Sequence, residues 1–159
     1  MKSVFLPLGL IAASALAAPA LAQPAVPSLQ HYMLGMSVGD IDKMTTWYGD
    51  MLGFKVAKEL AMGQGGKLRF LENGNERIEM VYAPGSKPGE QKPLPPAAAI
   101  QGYVQLTMEV PDLDAARAAL AAKGAAPSAI TPIPPLGIRV IFMRDPEGNI
   151  VELVQKLKN

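Results

Sequence analysis

Polar and apolar positions alternate with period two from Leu29 to Val38, and the pattern then changes to helical spacing. Leu34, Met36 and Val38 fall on one face of the predicted strand, and His31, Met33, Gly35 and Ser37 fall on the other. Asp40 stands where a helix N-cap belongs. Ile41, Met44, Trp47, Tyr48, Met51 and Leu52 follow at helical spacing until Gly53 stops the helix. Three short strands are predicted next, at Phe54 to Leu60, Lys67 to Leu71 and Arg77 to Tyr82. The last two are joined through Glu72-Asn73-Gly74-Asn75, a strong turn signal.

The same order then repeats. Met33-Leu34-Gly35-Met36-Ser37-Val38-Gly39-Asp40 is echoed 72 residues later by Gln105-Leu106-Thr107-Met108-Glu109-Val110-Pro111-Asp112. Arg77-Ile78-Glu79-Met80-Val81 is echoed by Ile150-Val151-Glu152-Leu153-Val154. The second copy predicts a strand over Gly102 to Val110 and a helix from Asp112, with Leu113, Ala116, Leu120 and Ala121 inward. The Pro-rich stretch from Pro127 to Pro135 marks an edge or irregular strand. Ile138 to Met143 and Asn149 to Gln155 form a hairpin about Asp145-Pro146-Glu147-Gly148-Asn149. The chain is an internal duplication of a βαβββ unit, an α+β arrangement expected to assemble as two four-stranded sheets in a cupped, eight-stranded open barrel. Repeat one is placed at 29–83, a Pro-rich linker at 84–100 and repeat two at 101–157.

The first 22 residues stand apart from this pattern. Lys2, the apolar run from Val4 to Ala17 and the small-residue pattern Ala20-Leu21-Ala22 predict a secretory signal ending before Gln23, so a periplasmic or secreted protein is expected. The remaining residues, 23–159, suit one domain able to bury roughly two thirds of its unfolded surface. Without Lys2 the chain carries 14 basic and 14 acidic residues, a balance that argues against nucleic acid or an anionic membrane as partner and for a small ligand. There is no cysteine, which removes disulfides, thiol nucleophiles and thiolate metal ligands. No Gly-rich phosphate loop is present, so neither nucleotide nor flavin is expected. With a single histidine, histidine-based triads are improbable.

The strand faces name the candidate site. Met33, Gly35 and Ser37 in the first copy, with Thr107 in the second, line the inner face, and Glu79 and Glu152 occupy equivalent points expected to look into one shared cavity. Carboxylates so placed must be solvated, paired, protonated or metal-bound, and Arg69, Arg77 and Arg139 on neighbouring strands could neutralise one of them. A metal site and a metal-free polar pocket both remain open. His31 reads either as a rim residue or as a ligand or general base, and Tyr103 is its equivalent in the second copy. Trp47 and Tyr48 are read as core, and the methionines either as core filling or as the wall of an apolar pocket.

Two segments carry a family likeness. Asp40 to Phe54, "DIDKMTTWYGDMLGF", and Phe142 to Val154, "FMRDPEGNIVELV", resemble the signatures of the vicinal oxygen chelate superfamily, which includes glyoxalase I, extradiol dioxygenases and bleomycin or fosfomycin resistance proteins. The resemblance implies a homodimer and one divalent metal held by a residue from each first and each last strand. At those places this sequence has Met33, Gln105, Glu79 and Glu152, so the carboxylates are kept and the usual histidines are not. Glu79, Gln105 and Glu152 would suit Mg or Mn, whereas Zn, Ni or Fe would want nitrogen donors. Two functions follow: metal-free binding or sequestration of a small molecule, or a metal-dependent lyase, isomerase or dioxygenase in which Glu79, Glu152 or His31 moves a proton.

Overall fold

The computed structural model describes residues 30–91, 93–94 and 102–157. The predicted signal, the lead that follows it and part of the linker between repeats lie outside the described residues. The first repeat runs β1 (Leu34–Val38), α1 (Ile41–Leu52), β2 (Lys55–Ala61), β3 (Lys67–Asn73) and β4 (Glu76–Tyr82). The second runs β5 (Gln105–Glu109), α2 (Leu113–Ala122), β6 (Thr131–Ile133), β7 (Ile138–Arg144) and β8 (Ile150–Lys156). They build two four-stranded sheets of identical order, β1-β4-β3-β2 and β5-β8-β7-β6. In each, the first strand pairs parallel to the last and the other pairings are antiparallel.

Both helices start as their sequence dictates. The Asp40 side chain accepts from the Lys43 backbone N–H at 2.9 Å, and Asp112 accepts from Ala115 at 3.0 Å. Gly53 ends α1 in the left-handed conformation at φ 74°, which a residue with a Cβ would resist. Ile41, Met44 and Tyr48 are buried, and they pack against Leu71, Ile78 and Met80 of the first sheet. Leu113 and Leu120 of α2 pack likewise on Ile141, Met143, Val151 and Leu153. Trp47, Leu52 and Met108 touch both clusters, so one apolar core runs through the two repeats.

Both first strands are shorter than the alternation predicts. β1 begins at Leu34 rather than Leu29, because its ladder to β4 begins with the pair Leu34 and Ile78. β5 begins at Gln105 rather than Gly102 for the same reason, Gln105 being the first residue opposite β8. Alternation continues past the point where a partner strand is available, and hydrogen bonding sets the true end. The Pro-rich stretch does form an edge strand, the three residues of β6, where Pro132 lacks a ladder donor at little cost.

Candidate functional site

Each sheet has one face covered by its helix and one open face. In the first sheet the core residues Val38, Ile78, Met80 and Leu71 face α1, so Gly35, Glu79 and Phe70 face the other way. Gly35 is opposite Glu79, and Glu79 is opposite Phe70 on β3. The second sheet repeats the register: Thr107 is opposite Glu152, and Glu152 is opposite Phe142. Period-two alternation thus carries the two glutamates to equivalent places, Glu79 opposite Gly35 and Glu152 opposite Thr107 in the parallel ladders.

Their surroundings differ. Glu152 is only 8 % exposed, and one of its oxygens, Oε2, accepts from the Gln105 amide Nε2 at 2.6 Å and from the Thr107 hydroxyl at 2.6 Å. The same amide nitrogen also lies 3.1 Å from Thr107 Oγ1. A carboxylate buried this far must have its charge met by donors, and short bonds to an ionised acceptor are the strong kind. Glu79 is half-buried and has no hydrogen-bond or ion-pair partner among the described residues. Met33, one residue ahead of β1, lines a cavity of about 310 Å³ with Tyr32, Leu60, Phe70, Arg77 and others.

The three arginines expected near the glutamates are committed elsewhere. Arg69 sits on the helix side of its strand, where its guanidinium bonds Asp42 at 2.8 Å, Glu59, and the Ile41 carbonyl oxygen. Arg77 pairs with Glu72 at 3.0 Å and lies over the Tyr32 ring, 5.1 Å from its centre. Arg139 bonds Asp114 at 2.6 Å and Gln155 at 2.7 Å. None neutralises Glu79 or Glu152; their strand positions were read correctly, but side-chain reach took each to a nearer carboxylate or amide.

His31 is exposed, ahead of the first strand and away from both glutamates' ladders. Tyr103, its counterpart, is 98 % exposed and Ser37 is also exposed. Ser37 lines a different cavity, of about 640 Å³, with Asp40, Lys43, Lys87 and Glu147. Neither glutamate lines any of the three cavities described; the third, of about 400 Å³, lies between Met51, Leu52, Met108, Leu120 and Lys123.

The donor set does not suit a divalent ion. Met33 presents a thioether and Gln105 turns an N–H, not its oxygen, to Glu152. Turning that amide round would set its oxygen against a carboxylate. Among the described residues no three histidine, aspartate or glutamate side chains converge as a metal would require.

One buried polar contact escaped the sequence reading. The Tyr48 hydroxyl, on a residue with no exposure, donates to Asp145 Oδ2 at 3.2 Å, while Asp145 also accepts from the backbone of Glu147 and from Asn149. Burial first, and then the Asp145 charge, push the Tyr48 hydroxyl pKa far above its ordinary value. Glu147 meanwhile accepts from the backbone N–H groups of Gly39 and Asp40, both at 2.8 Å, at the start of α1. A buried tyrosine needs a partner for its hydroxyl, which was the available signal.

Comparison with known proteins agrees with this geometry. The family model described as the Glyoxalase/Bleomycin resistance protein/Dioxygenase superfamily matches residues 28–153. Among solved structures, a glyoxalase family protein from Enterococcus faecalis is 20 % identical, with a TM-score of 0.65, over 79 % of this chain and 96 % of its own. A glyoxylase/bleomycin resistance protein/dioxygenase domain from Frankia sp. EAN1pec is 21 % identical, with a TM-score of 0.66, over 83 % and 96 %. A glyoxalase I variant from Zea mays is 20 % identical, with a TM-score of 0.64, over 80 % of this chain and 45 % of that longer one. At these identities the solved structures establish the fold. Comparison with curated protein sequences gave no match.

Proposed function

The chain belongs to the Glyoxalase/Bleomycin resistance protein/Dioxygenase superfamily, and from that premise we propose that it is an exported protein that binds a small organic molecule on the open faces of its sheets without a metal ion. The observation that carries this reading is the state of Glu152. Its charge is met by the Gln105 amide and the Thr107 hydroxyl, so Gln105, one of the three residues that would have ligated an ion, is spent on another of them. Met33 at the remaining position makes the surface more apolar. The cavity beside it, about 310 Å³ with Phe70, Leu60 and Tyr32 in its wall, is at the small end of the range for ligand pockets, roughly 300–1,000 Å³. Export rests on the leader at residues 1–22, and pairing of two copies rests on family resemblance.

Elemental analysis of the purified mature chain after incubation with Mg, Mn, Fe, Ni and Zn tests the reading. The expected result is no near-stoichiometric metal and no ion-induced rise in Tm, in a chain whose sequenced N-terminus is Gln23. Stoichiometric metal that is lost in both Glu79→Gln and Glu152→Gln would overturn the metal-free reading in favour of a metalloenzyme.

A further inference from the structure

The duplicated frame supplies donors to one glutamate and withholds them from the other. Opposite Glu152 stands Thr107, and two residues before it Gln105; both donate to the carboxylate. Opposite Glu79 stands Gly35, and two residues before it Met33; neither has a side-chain donor. A Cβ placed on Gly35 would lie 3.6 Å from Glu79 Oε2, an ordinary contact, so a side chain would fit there. Its absence leaves a niche directly in front of a carboxylate that has no partner among the described residues. Beside the niche, Phe70 and Met33 lead into the 310 Å³ cavity.

We propose that Glu79 is the ligand-recognising carboxylate of this face and that the niche at Gly35 takes an ammonium group carried on a flat apolar body. In the second sheet an O–H and an N–H converge on a single carboxylate oxygen. An ammonium carries several N–H donors on one atom and can reproduce that convergence, and it adds the opposite charge that the chain itself does not place beside Glu79. The apolar body then covers Phe70 and Met33. Two cations line that cavity, Lys58 and Arg77, together with the Glu72 carboxylate; Arg77 is held by Glu72 and by the Tyr32 ring, which limits its repulsion. This assignment rests on the small-molecule reading and gives it a ligand class.

The test is amide-resolved NMR titration of the mature chain with benzylammonium, benzyl alcohol and benzoate as probes. Benzylammonium is expected to shift the amides of Gly35, Phe70 and Glu79 saturably and to bind more tightly than the other two. Losing a charge-assisted bond should weaken it roughly tenfold or more in Glu79→Gln. Gly35→Thr is the sharper variant, since it keeps the carboxylate and fills the niche with a hydroxyl; it should keep its Tm and lose the probe as Glu79→Gln does. Benzoate binding as well as benzylammonium, no saturable response to benzylammonium, or undiminished binding in both variants would each overturn the assignment. Probes that bind the open face independently of Glu79 would leave the small-molecule reading standing, whereas stoichiometric metal would remove that reading itself.

Discussion

On the first sheet the strand facing Glu79 offers Gly35 and, just before it, Met33; on the second the strand facing Glu152 offers Thr107 and Gln105. The backbone register is the same in both, and so is the phenylalanine on the far side, Phe70 or Phe142. The exposures follow the donors. Glu152, with two short bonds, is 8 % exposed, whereas Glu79, with none among the described residues, stays half-buried. A carboxylate can leave water only where the protein supplies what water supplied, so in a duplicated frame burial depends on the neighbours' donors and not on the strand position alone. Duplication kept the scaffold and let the polar contacts of the two faces diverge.

The largest effect is expected at the turns, where the repeats also diverge. The β3–β4 turn is exposed and makes one side-chain tie to α1, from Asn73 Nδ2 to the Leu52 carbonyl oxygen at 2.8 Å. The β7–β8 turn buries Asp145, and through it holds the Tyr48 hydroxyl and the turn's own N–H groups. Asp145→Ala strands the buried Tyr48 hydroxyl and three part-buried N–H donors and should cost about 3 kcal/mol or more, against about 1 kcal/mol for Asn73→Ala, by urea unfolding. Equal losses would mean that the turns are equivalent and the comparison is broken. Because folding raises the Tyr48 pKa, its contribution is fully present below about pH 10 and is lost as pH rises beyond that, when the unfolded chain ionises first. Tyr48→Phe should remove that part of the alkaline decline.

The next effect sharpens the carboxylate comparison itself. Thr107→Val keeps the shape and deletes one donor to Glu152, so it should cost about 1–3 kcal/mol. Gly35→Thr adds a donor where Glu79 has none and suits a strand, so its stability should change by less than about 0.5 kcal/mol or rise. If Thr107→Val were silent in urea unfolding, Glu152 would owe its burial to something other than its donors.

What the sequence disclosed and what it concealed divide along the same line. The N-caps at Asp40 and Asp112, the stop at Gly53 and both hairpin turns are local signals, and the structure has them where they were read. Alternation brought Gln105, Thr107 and Glu152 to one face because period two survives whatever the rest of the chain does. It could not say that Glu147 would reach back to the amides of Gly39 and Asp40, or that Tyr48 would find Asp145, since those contacts depend on how the repeats dock. Nor could it say where the arginines would go. A long side chain on a known strand position still has a choice of faces and partners within its reach.

The smallest effect concerns a pair of ion pairs that the repeats share. Each helix carries an aspartate in its first turn that meets an arginine from the sheet below: Asp42 with Arg69 at 2.8 Å, Asp114 with Arg139 at 2.6 Å. The first pair belongs to a wider network, for Arg69 also holds Glu59, the Ile41 carbonyl oxygen and the Thr45 hydroxyl. The Arg69 hydrogen bond, and then its charge, hold the Asp42 carboxyl below the usual carboxylate range. Its folded pKa is therefore depressed, and the linked stabilisation is present above the unfolded value, about pH 4, and is lost as pH falls through the folded one. Asp42 is fully exposed, so salt and water screen the pair and the effect is best read as a titration. Carboxyl NMR should show Asp42 titrating low in the wild type and moving back toward its ordinary value in Arg69→Met. The shift should shrink in 0.5 M salt; a value that ignores both the variant and the salt would mean that the arginine network does not reach this carboxylate in solution.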